Sequence, residues 1–387
     1  MTSVTVVLLD DDALLLKALQ RTIIRTFPNT IVLVANELDE FWQLLQDNPD
    51  VDLVISDYLM PHMNGLDVLE LCVARYPYPV RALLTGDMTN TTIMRQPNLV
   101  HAYLSKPFSG ADITNLLNNV AELKSLPFEK HVRRQLGAMM SFPVCPIFLQ
   151  KLQIVLSSDD YNLHQITTIV SQEPVITAKL LQIANSAYLG FQRQTSSIDE
   201  AVSRIGSTML LAIVTSLAMS QAVGNVLPTR VHERQLEIAS NYAGCVKTFA
   251  EHAGFNRKNQ ELLFSVAILS FVGKVILLCG DQSLAQSYDE GINTDDLAHY
   301  QSVSAYVMKL WGYDSRICTL LMSCNDLNGI KEAKLNEINQ LLYIVRKILF
   351  SACSVDKLQV LLTDKNVDIN LTQALASFDW KTYLISY

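Results

Sequence analysis

Five short runs of aliphatic and β-branched residues, Val4–Leu9, Thr30–Val34, Leu53–Ser56, Val80–Leu84 and His101–Leu104, punctuate the first third of the chain. Between and after them lie stretches long enough for a helix: Ala13–Thr26, Leu38–Gln46, Gly65–Tyr76, the weaker Met88–Gln96, and Ser109–Leu123. Strict alternation of this kind leaves little choice of architecture, because parallel neighbours must be joined by a crossover that covers one face of the sheet. A doubly wound α/β domain with a five-stranded parallel sheet is therefore predicted for residues 1–125. In such sheets ligands and chemistry gather at the carboxyl ends of the strands.

The residues placed at those ends are distinctive. Asp10, Asp11 and Asp12 follow the first run, Asp57 the third, Thr85 the fourth and Lys106 the fifth. Clustered carboxylates repel one another unless they share a cation, and Mg²⁺ is satisfied by one or two carboxylates, a carbonyl and waters. A lysine opposite supplies a point charge for phosphoryl oxygens, and a threonine hydroxyl a hydrogen bond made only when phosphate is present. Asp57 is then the nucleophile, forming an acyl phosphate. Each piece alone has a plainer reading: Asp11 or Asp12 caps the helix from Ala13, Asp57 sits in a turn, Lys106-Pro107 is a surface turn. Their joint occurrence, in order and at strand ends, favours the site.

Charge supports a cation rather than a nucleic acid in this part. Residues 1–125 carry 15 Asp and Glu against 8 Lys and Arg, out of 38 and 30 in the whole chain, so the acidity is concentrated there and the remainder is nearly neutral. With 49% hydrophobic and 18% charged residues, the chain is expected to fold along most of its length. The seven cysteines are scattered and form no CxxC pair, which suits reduced thiols packed as small apolar residues. MTSVTVVLLDDD has no basic region before its short apolar stretch and does not read as a signal peptide. Ile205 to Thr229 carries no formal charge, but polar residues interrupt it, and a buried core helix is expected rather than a membrane span.

From Leu126 the texture changes. LPFEKHVRRQLGAMMSFPVCP is rich in proline and basic residues and reads as a linker over 126–141. Beyond it the periodicity is helical almost everywhere, ending in an amphipathic helix over Leu335–Ala352 and a shorter one around Thr372–Phe378.

The pieces VVLLDDD, LVISDYLMPHMNGLDVLE, LLTG and AYLSKPF, in this order, resemble the receiver domain of two-component response regulators, a flavodoxin-like fold. The resemblance implies Asp57 as phosphoacceptor, and Asp10, Asp11, Asp57 and the Leu59 carbonyl around Mg²⁺ or Mn²⁺. It further implies Thr85 and Tyr103 as the switch pair, Lys106 as the phosphate-sensing lysine, and a cis Lys106-Pro107 bond. Leu59 and Asp87 hold the positions that tune loss of the phosphoryl group, and leucine cannot orient a water, so a long-lived phosphorylated state is expected.

A second resemblance covers Phe142 to Leu327. IVSQEPVITAKLLQIANSAYLG, SIDEAVSRIGSTMLLAIV, NYAGCVKTFAEHAGFNRKNQELLFSVAILSFVGKVILL and YQSVSAYVMKLWGY are similar to the HDOD family, relatives of HD-type metal-dependent phosphohydrolases. An HD hydrolase needs His and Asp around its metals. Here Phe271 stands in the HD stretch, Tyr300 at the helix histidine, and Cys324 and Asn325 at the late histidines. No cofactor is expected in this half.

The histidines show no metal-like spacing and read as surface or core residues. Asn185 and Ser186 are possible ligand contacts, with helix capping and cross-linking the alternative. Trp311 and Tyr313 read as packing residues.

Together the resemblances imply a receiver at 1–125, an HDOD domain at 142–330 and a helical extension at 331–387 packed on it. The function they imply is that of a cytoplasmic bacterial response regulator in a phosphorelay. Its partners would be a sensor histidine kinase or phosphotransfer protein and a downstream signalling protein, with a homodimer possible and neither nucleic acid nor membrane involved. Two other classes stay open: a cyclic-dinucleotide phosphodiesterase of the HD-GYP kind, and a DNA-binding regulator suggested by the helix-turn-helix spacing of VKTFAEHAGFNRKNQELLF, whose acidic neighbours oppose it.

Overall fold

A computed structural model of the chain describes residues 3–61, 63–86, 100–125, 145–156, 161–186, 189, 193–223, 227–280, 300–350, 355, 358, 359 and 367–384. The Met88–Gln96 helix, the 126–141 linker, Asp87, His62, His131 and His299 lie outside them. The chain divides into two compact units, residues 1–145 with Tyr306–Tyr313, and Pro146–Ala305 with Asp314–Tyr387.

In the first unit β1 (Thr5–Leu9), α1 (Ala13–Thr26), β2 (Ile31–Ala35), α2 (Leu38–Asp47), β3 (Leu53–Asp57), α3 (Gly65–Arg75), β4 (Val80–Thr85), β5 (Ala102–Ser105) and α4 (Gly110–Ser125) follow one another. All strand pairs are parallel, in the order β2-β1-β3-β4-β5. This is the flavodoxin-like doubly wound sheet. β3 and β4 are buried from end to end and β1 nearly so, which is why they read as unbroken apolar runs rather than alternating ones. From β1 the chain steps to β2 on one side and later to β3 on the other, so a crevice opens at the carboxyl ends of β1 and β3.

Each strand differs from expectation by one residue at one end or both, and two of these shifts bear on the site. β3 and β4 run on to include Asp57 and Thr85, because Asp57 still pairs with Leu84 and Thr85 with Ser105 in the ladder. Both functional side chains thereby stand on strand backbone rather than on loops.

The second unit is helical among the described residues. Its helices are α5 (Ile147–Leu156), α6 (Leu163–Ser171), α7 (Pro174–Ala184), α8 (Ile198–Ile205), α9 (Ser207–Ala222), α10 (Thr229–His252), α11 (Arg257–Leu269) and α12 (Val272–Gly280). They continue with α13 (Tyr300–Leu310), which belongs to this unit as far as Ala305, α14 (Ser315–Ser323), α15 (Ala333–Phe350), α16 (Ile369–Ser377) and α17 (Lys381–Leu384).

The uncharged segment weighed as a span forms α9, buried along most of its length. Arg257–Cys279 is also long and apolar enough to cross a membrane, but 89% of its apolar window is buried inside the fold. The second residue of α12 needs to be a glycine. A Cβ on Gly273 would stand 1.9 Å from the Tyr300 carbonyl oxygen, while its N–H donates to Ser304 Oγ at 2.8 Å. α15 packs on α10, α11 and α14, and buries Leu341, Leu342, Ile344, Val345 and Ile348. At roughly 1.5–3 kcal/mol for each fully buried aliphatic side chain, this helix contributes substantially to the core. Further along, the rings of Phe378 and Trp380 lie 5.2 and 5.0 Å from Phe249 of α10.

One histidine is locked into the sheet. His101 is 3% exposed; its N–H donates to the Arg81 carbonyl at 2.8 Å, and its ring Nδ1 accepts from the Arg81 N–H at 2.9 Å. Burial, and next the nearby Arg81 guanidinium, hold its pKa well below the ordinary 6.5. The unfolded chain takes up a proton there near 6.5 while the folded ring refuses it. The stability contributed by the neutral ring is therefore complete above that pH and lost below it, by about 1.4 kcal/mol per pH unit until the folded ring titrates. Urea unfolding of wild type and His101→Gln between pH 5 and pH 8 is expected to diverge only on the acid side, the wild type falling more steeply. Parallel curves would contradict this.

Candidate functional site

The carboxyl ends of β1 and β3 bring Asp10, Asp11 and Asp57 together, with one candidate ligand oxygen from each lying within 4.8 Å of the others. Among the described residues this is the one group of three or more metal-ligating side chains. Asp10 and Asp57 are buried, Asp11 exposed. The capping alternative is resolved by Asp12, whose Oδ1 accepts from the Leu14 and Leu15 N–H groups at 2.8 and 3.2 Å. With Asp12 occupied as the cap of α1, its two predecessors face the crevice. Asp10 Oδ1 is fixed in turn by the Asp12 N–H at 2.8 Å.

Lys106 reaches in from the end of β5. Its Nζ lies 2.6 Å from Asp57 Oδ1 and 3.3 Å from Asp10 Oδ2. The Lys106 N–H donates to the Thr85 carbonyl at 2.7 Å, which ties the lysine to the tip of β4, and the Lys106-Pro107 bond is cis. Thr85 is 2% exposed. Tyr103 packs half-buried against the core beneath, and burial pushes its hydroxyl up to about 12. The Leu59 side chain is 74% exposed, on the loop beyond β3.

The charges do not balance. Three carboxylates meet one ammonium, and carboxylates this close repel by about 3 kcal/mol per pair at an effective dielectric near 20, less at the exposed Asp11. Burial, with the charge of Asp57 adding to it, raises the Asp10 pKa even though the Asp12 N–H and Lys106 oppose this. Burial alone would lower the Lys106 pKa, but its hydrogen bond to Asp57 and the charges of both aspartates outweigh that and raise it. An all-oxygen donor set with surplus negative charge matches what Mg²⁺ requires of a protein site.

Gly65, the first residue of α3, went unnoticed in the sequence. A Cβ there would stand 2.1 Å from the Asp57 carbonyl oxygen, and its N–H donates to the Tyr58 carbonyl at 2.9 Å. The available signal is a glycine inside a helix start already capped by Asn64, a place where glycine is otherwise disfavoured.

In the second unit, Phe271, Tyr300 and Asn325, which the resemblance put at the positions of HD ligands, pack with side chains from α15. The Phe271 ring lies 5.9 Å from Tyr300, 6.0 Å from Tyr242 and 5.7 Å from Phe350. The Arg346 guanidinium covers the Tyr300 and Phe350 rings at 5.2 and 5.5 Å, and its Nε donates to Asn325 Oδ1 at 2.8 Å. Arg346 and Phe350 come from α15, and nothing in its amphipathic spacing indicated that they would enter this place.

Asn185 clamps the backbone of Thr195, donating to its carbonyl at 2.8 Å and accepting from its N–H at 2.7 Å. Ser186 donates to the Ile183 carbonyl at 2.7 Å. His232 meets Ser220 Oγ at 2.9 Å and His252 meets Ser377 Oγ at 2.8 Å. Trp311 and Tyr313 are buried.

Comparison with known proteins agrees with this division. Residues 6–118 match the family model of the response regulator receiver domain, and residues 142–318 that of the HDOD domain. A chemotaxis protein CheY homolog of Campylobacter jejuni is 30% identical over 114 residues, 29% of this chain and 87% of that protein. Two-component response regulator ORR23 of Oryza sativa is 32% identical over 120 residues, 31% of this chain; the match spans only 17% of the rice protein's length. An HDOD domain protein of unknown function from Geobacter sulfurreducens, 16% identical, aligns over 71% of this chain and 96% of its own with a TM-score of 0.48. Structures from Shewanella amazonensis of comparable likeness, 19% identical, bear phosphohydrolase names.

The close approach at Gly65 yields a test. Gly65→Ala drives a methyl group into the carbonyl of Asp57 itself, and overpacking of this kind costs about 1–3 kcal/mol. The unfolding free energy from urea denaturation is expected to fall by that order, although alanine is the better helix former. An unchanged midpoint would show that the loop relaxes freely.

Proposed function

We propose, for a chain that belongs to the response regulators through its receiver domain and carries an HDOD domain after it, that Asp57 accepts a phosphoryl group and that the HDOD domain passes the resulting state on by binding another protein. The donor is a sensor histidine kinase or phosphotransfer protein, and the setting a bacterial cytoplasm. The observation that carries this reading is the clustering of Asp10, Asp11 and Asp57, with the Lys106 ammonium in contact with Asp10 and Asp57.

A carboxylate oxygen of Asp57 attacks phosphorus while the P–N bond of the donor breaks and its electron pair returns to the imidazole. Asp10, Asp11, Asp57 and the Leu59 carbonyl would hold Mg²⁺ or Mn²⁺, which would supply positive charge against the phosphoryl oxygens. Lys106, already against Asp57, transfers its contact to a phosphoryl oxygen. The Thr85 hydroxyl donates to another, and Tyr103 follows it inward, which alters the face carrying β5 and α4. α4 ends at Ser125, where the 126–141 linker begins, so the change is carried towards the HDOD domain over 142–330 and its extension over 331–387. Altered dimerisation is one form that output can take.

The HDOD domain is read as a binding module rather than a hydrolase. In support, Phe271, Tyr300 and Asn325 surround a guanidinium and a phenylalanine from α15, where a cyclic-dinucleotide phosphodiesterase would need metal ligands. Against a DNA-reading helix, residues Leu263–Leu269 of α11 are buried.

Incubation with acetyl phosphate and Mg²⁺, followed by intact mass, is expected to give one phosphoryl adduct on the wild type and none on Asp57→Ala. Leu59→Asn, which adds a side chain able to orient water, is expected to lose the group faster. An adduct that survives Asp57→Ala would overturn the assignment of the acceptor, and equal decay of Leu59→Asn would overturn the role given to Leu59.

A further inference from the structure

Two helices of the second unit present facing stripes to one groove. Lys179, Ile183 and Ser186 come from α7 and its end, and Glu233, Leu236, Glu237 and Asn241 from α10, around a cavity of about 470 Å³. Glu233, Glu237 and Asn241 follow one another at four-residue intervals, so they form a single line along α10. The groove is a polar ladder over an apolar floor.

Its polar groups are unevenly satisfied. Glu233 is held by Lys179 Nζ at 3.5 Å, whereas Glu237 has no ion-pair partner among the described residues. Asn241 is 5% exposed and lines the cavity, yet its side-chain amide makes no hydrogen bond among them. Its amide atoms are not fully enclosed, so they are reached from the cavity, whereas most polar groups of buried residues are paired within the fold. An amide that stays free while facing a cavity is placed for a molecule that enters it.

The chemistry of that molecule follows from the line. Glu237 seeks a cation, and a guanidinium fits a carboxylate with two parallel N–H donors. One turn away, Asn241 offers one acceptor and two donors, which match the N–H and C=O of a peptide group. Ile183 and Leu236 suit a methylene stem between the two.

We propose that this groove takes an arginine side chain together with its adjoining peptide amide, presented by the polypeptide that the HDOD domain recognises. The proposal rests on reading that domain as a partner-binding module.

N-acetyl-L-argininamide carries both groups and serves as the probe, titrated into the full chain by calorimetry. Agmatine supplies the guanidinium without the peptide amide, and N-acetylglycinamide the amide without the cation. Saturable millimolar binding of the probe is expected, with agmatine weaker by about fivefold or more and N-acetylglycinamide not bound. Glu237→Gln, at an exposed position, is expected to weaken the probe by a similar factor. Asn241→Leu is expected to abolish the preference over agmatine without lowering the unfolding midpoint; a structural asparagine would lower it. Failure of the probe to saturate, agmatine binding as tightly as the probe, or binding untouched by both substitutions would overturn the proposal. The probe is a defined molecule, so its failure speaks against the groove alone, whereas lack of a phosphoryl adduct on Asp57 speaks against the reading above.

Discussion

The contact between Lys106 Nζ and Asp57 Oδ1, 2.6 Å long, joins the tips of two strands that are not neighbours in the sheet. It exists because β3, β4 and β5 are parallel and end level, so that side chains distant in sequence meet beyond their carboxyl ends. The same arrangement adds Asp10 and Asp11 from β1 and leaves more negative charge than one lysine can offset. The unmet charge makes the site responsive. In the function proposed above, a cation and a phosphoryl group would together resolve a repulsion that the fold by itself sustains, and the lysine would change partner.

The two halves handle charge in opposite ways. In the receiver, carboxylates converge and face a crevice. In the HDOD domain the corresponding gathering point is closed by the chain's own cation, Arg346, packed over Tyr300 and Phe350 and hydrogen-bonded to Asn325. Loss of ligands alone would leave a void, and voids are costly. Here α15 supplies both volume and charge, with Arg346 and Phe350 packed against Tyr300 and Phe271. The groove along α7 and α10 is a polar concavity of this unit, lined by an Asn241 amide that has no hydrogen-bond partner among the described residues.

Much of the receiver was legible because its signals are local. Apolar runs of strand length, the aspartate that caps α1, and polar residues just beyond strand ends each act over a few residues, and the parallel topology converts their order into proximity. The limits of the strands were less so: Asp57 and Thr85 belong to the ladder because of partners across the sheet, which local sequence does not reveal. Gly65 was missed for a related reason, since the atom it must avoid is the carbonyl of Asp57, brought close by the return of the chain. In the helical half the substituted positions could be read from the motif, but their replacement could not. Which face of α15 meets Phe271 is decided by packing between distant helices, and amphipathic spacing gives only a buried side, without its neighbours.

The account rests on surplus carboxylate charge seeking a cation. A calorimetric titration of the unphosphorylated chain with MgCl₂ tests this most directly. One binding site in the wild type is expected, weakened in Asp57→Asn and lost in Asp11→Asn, with no loss in Lys106→Met, which removes the competing ammonium. Mg²⁺ binding that is absent from the wild type, or indifferent to both aspartate substitutions, would contradict it.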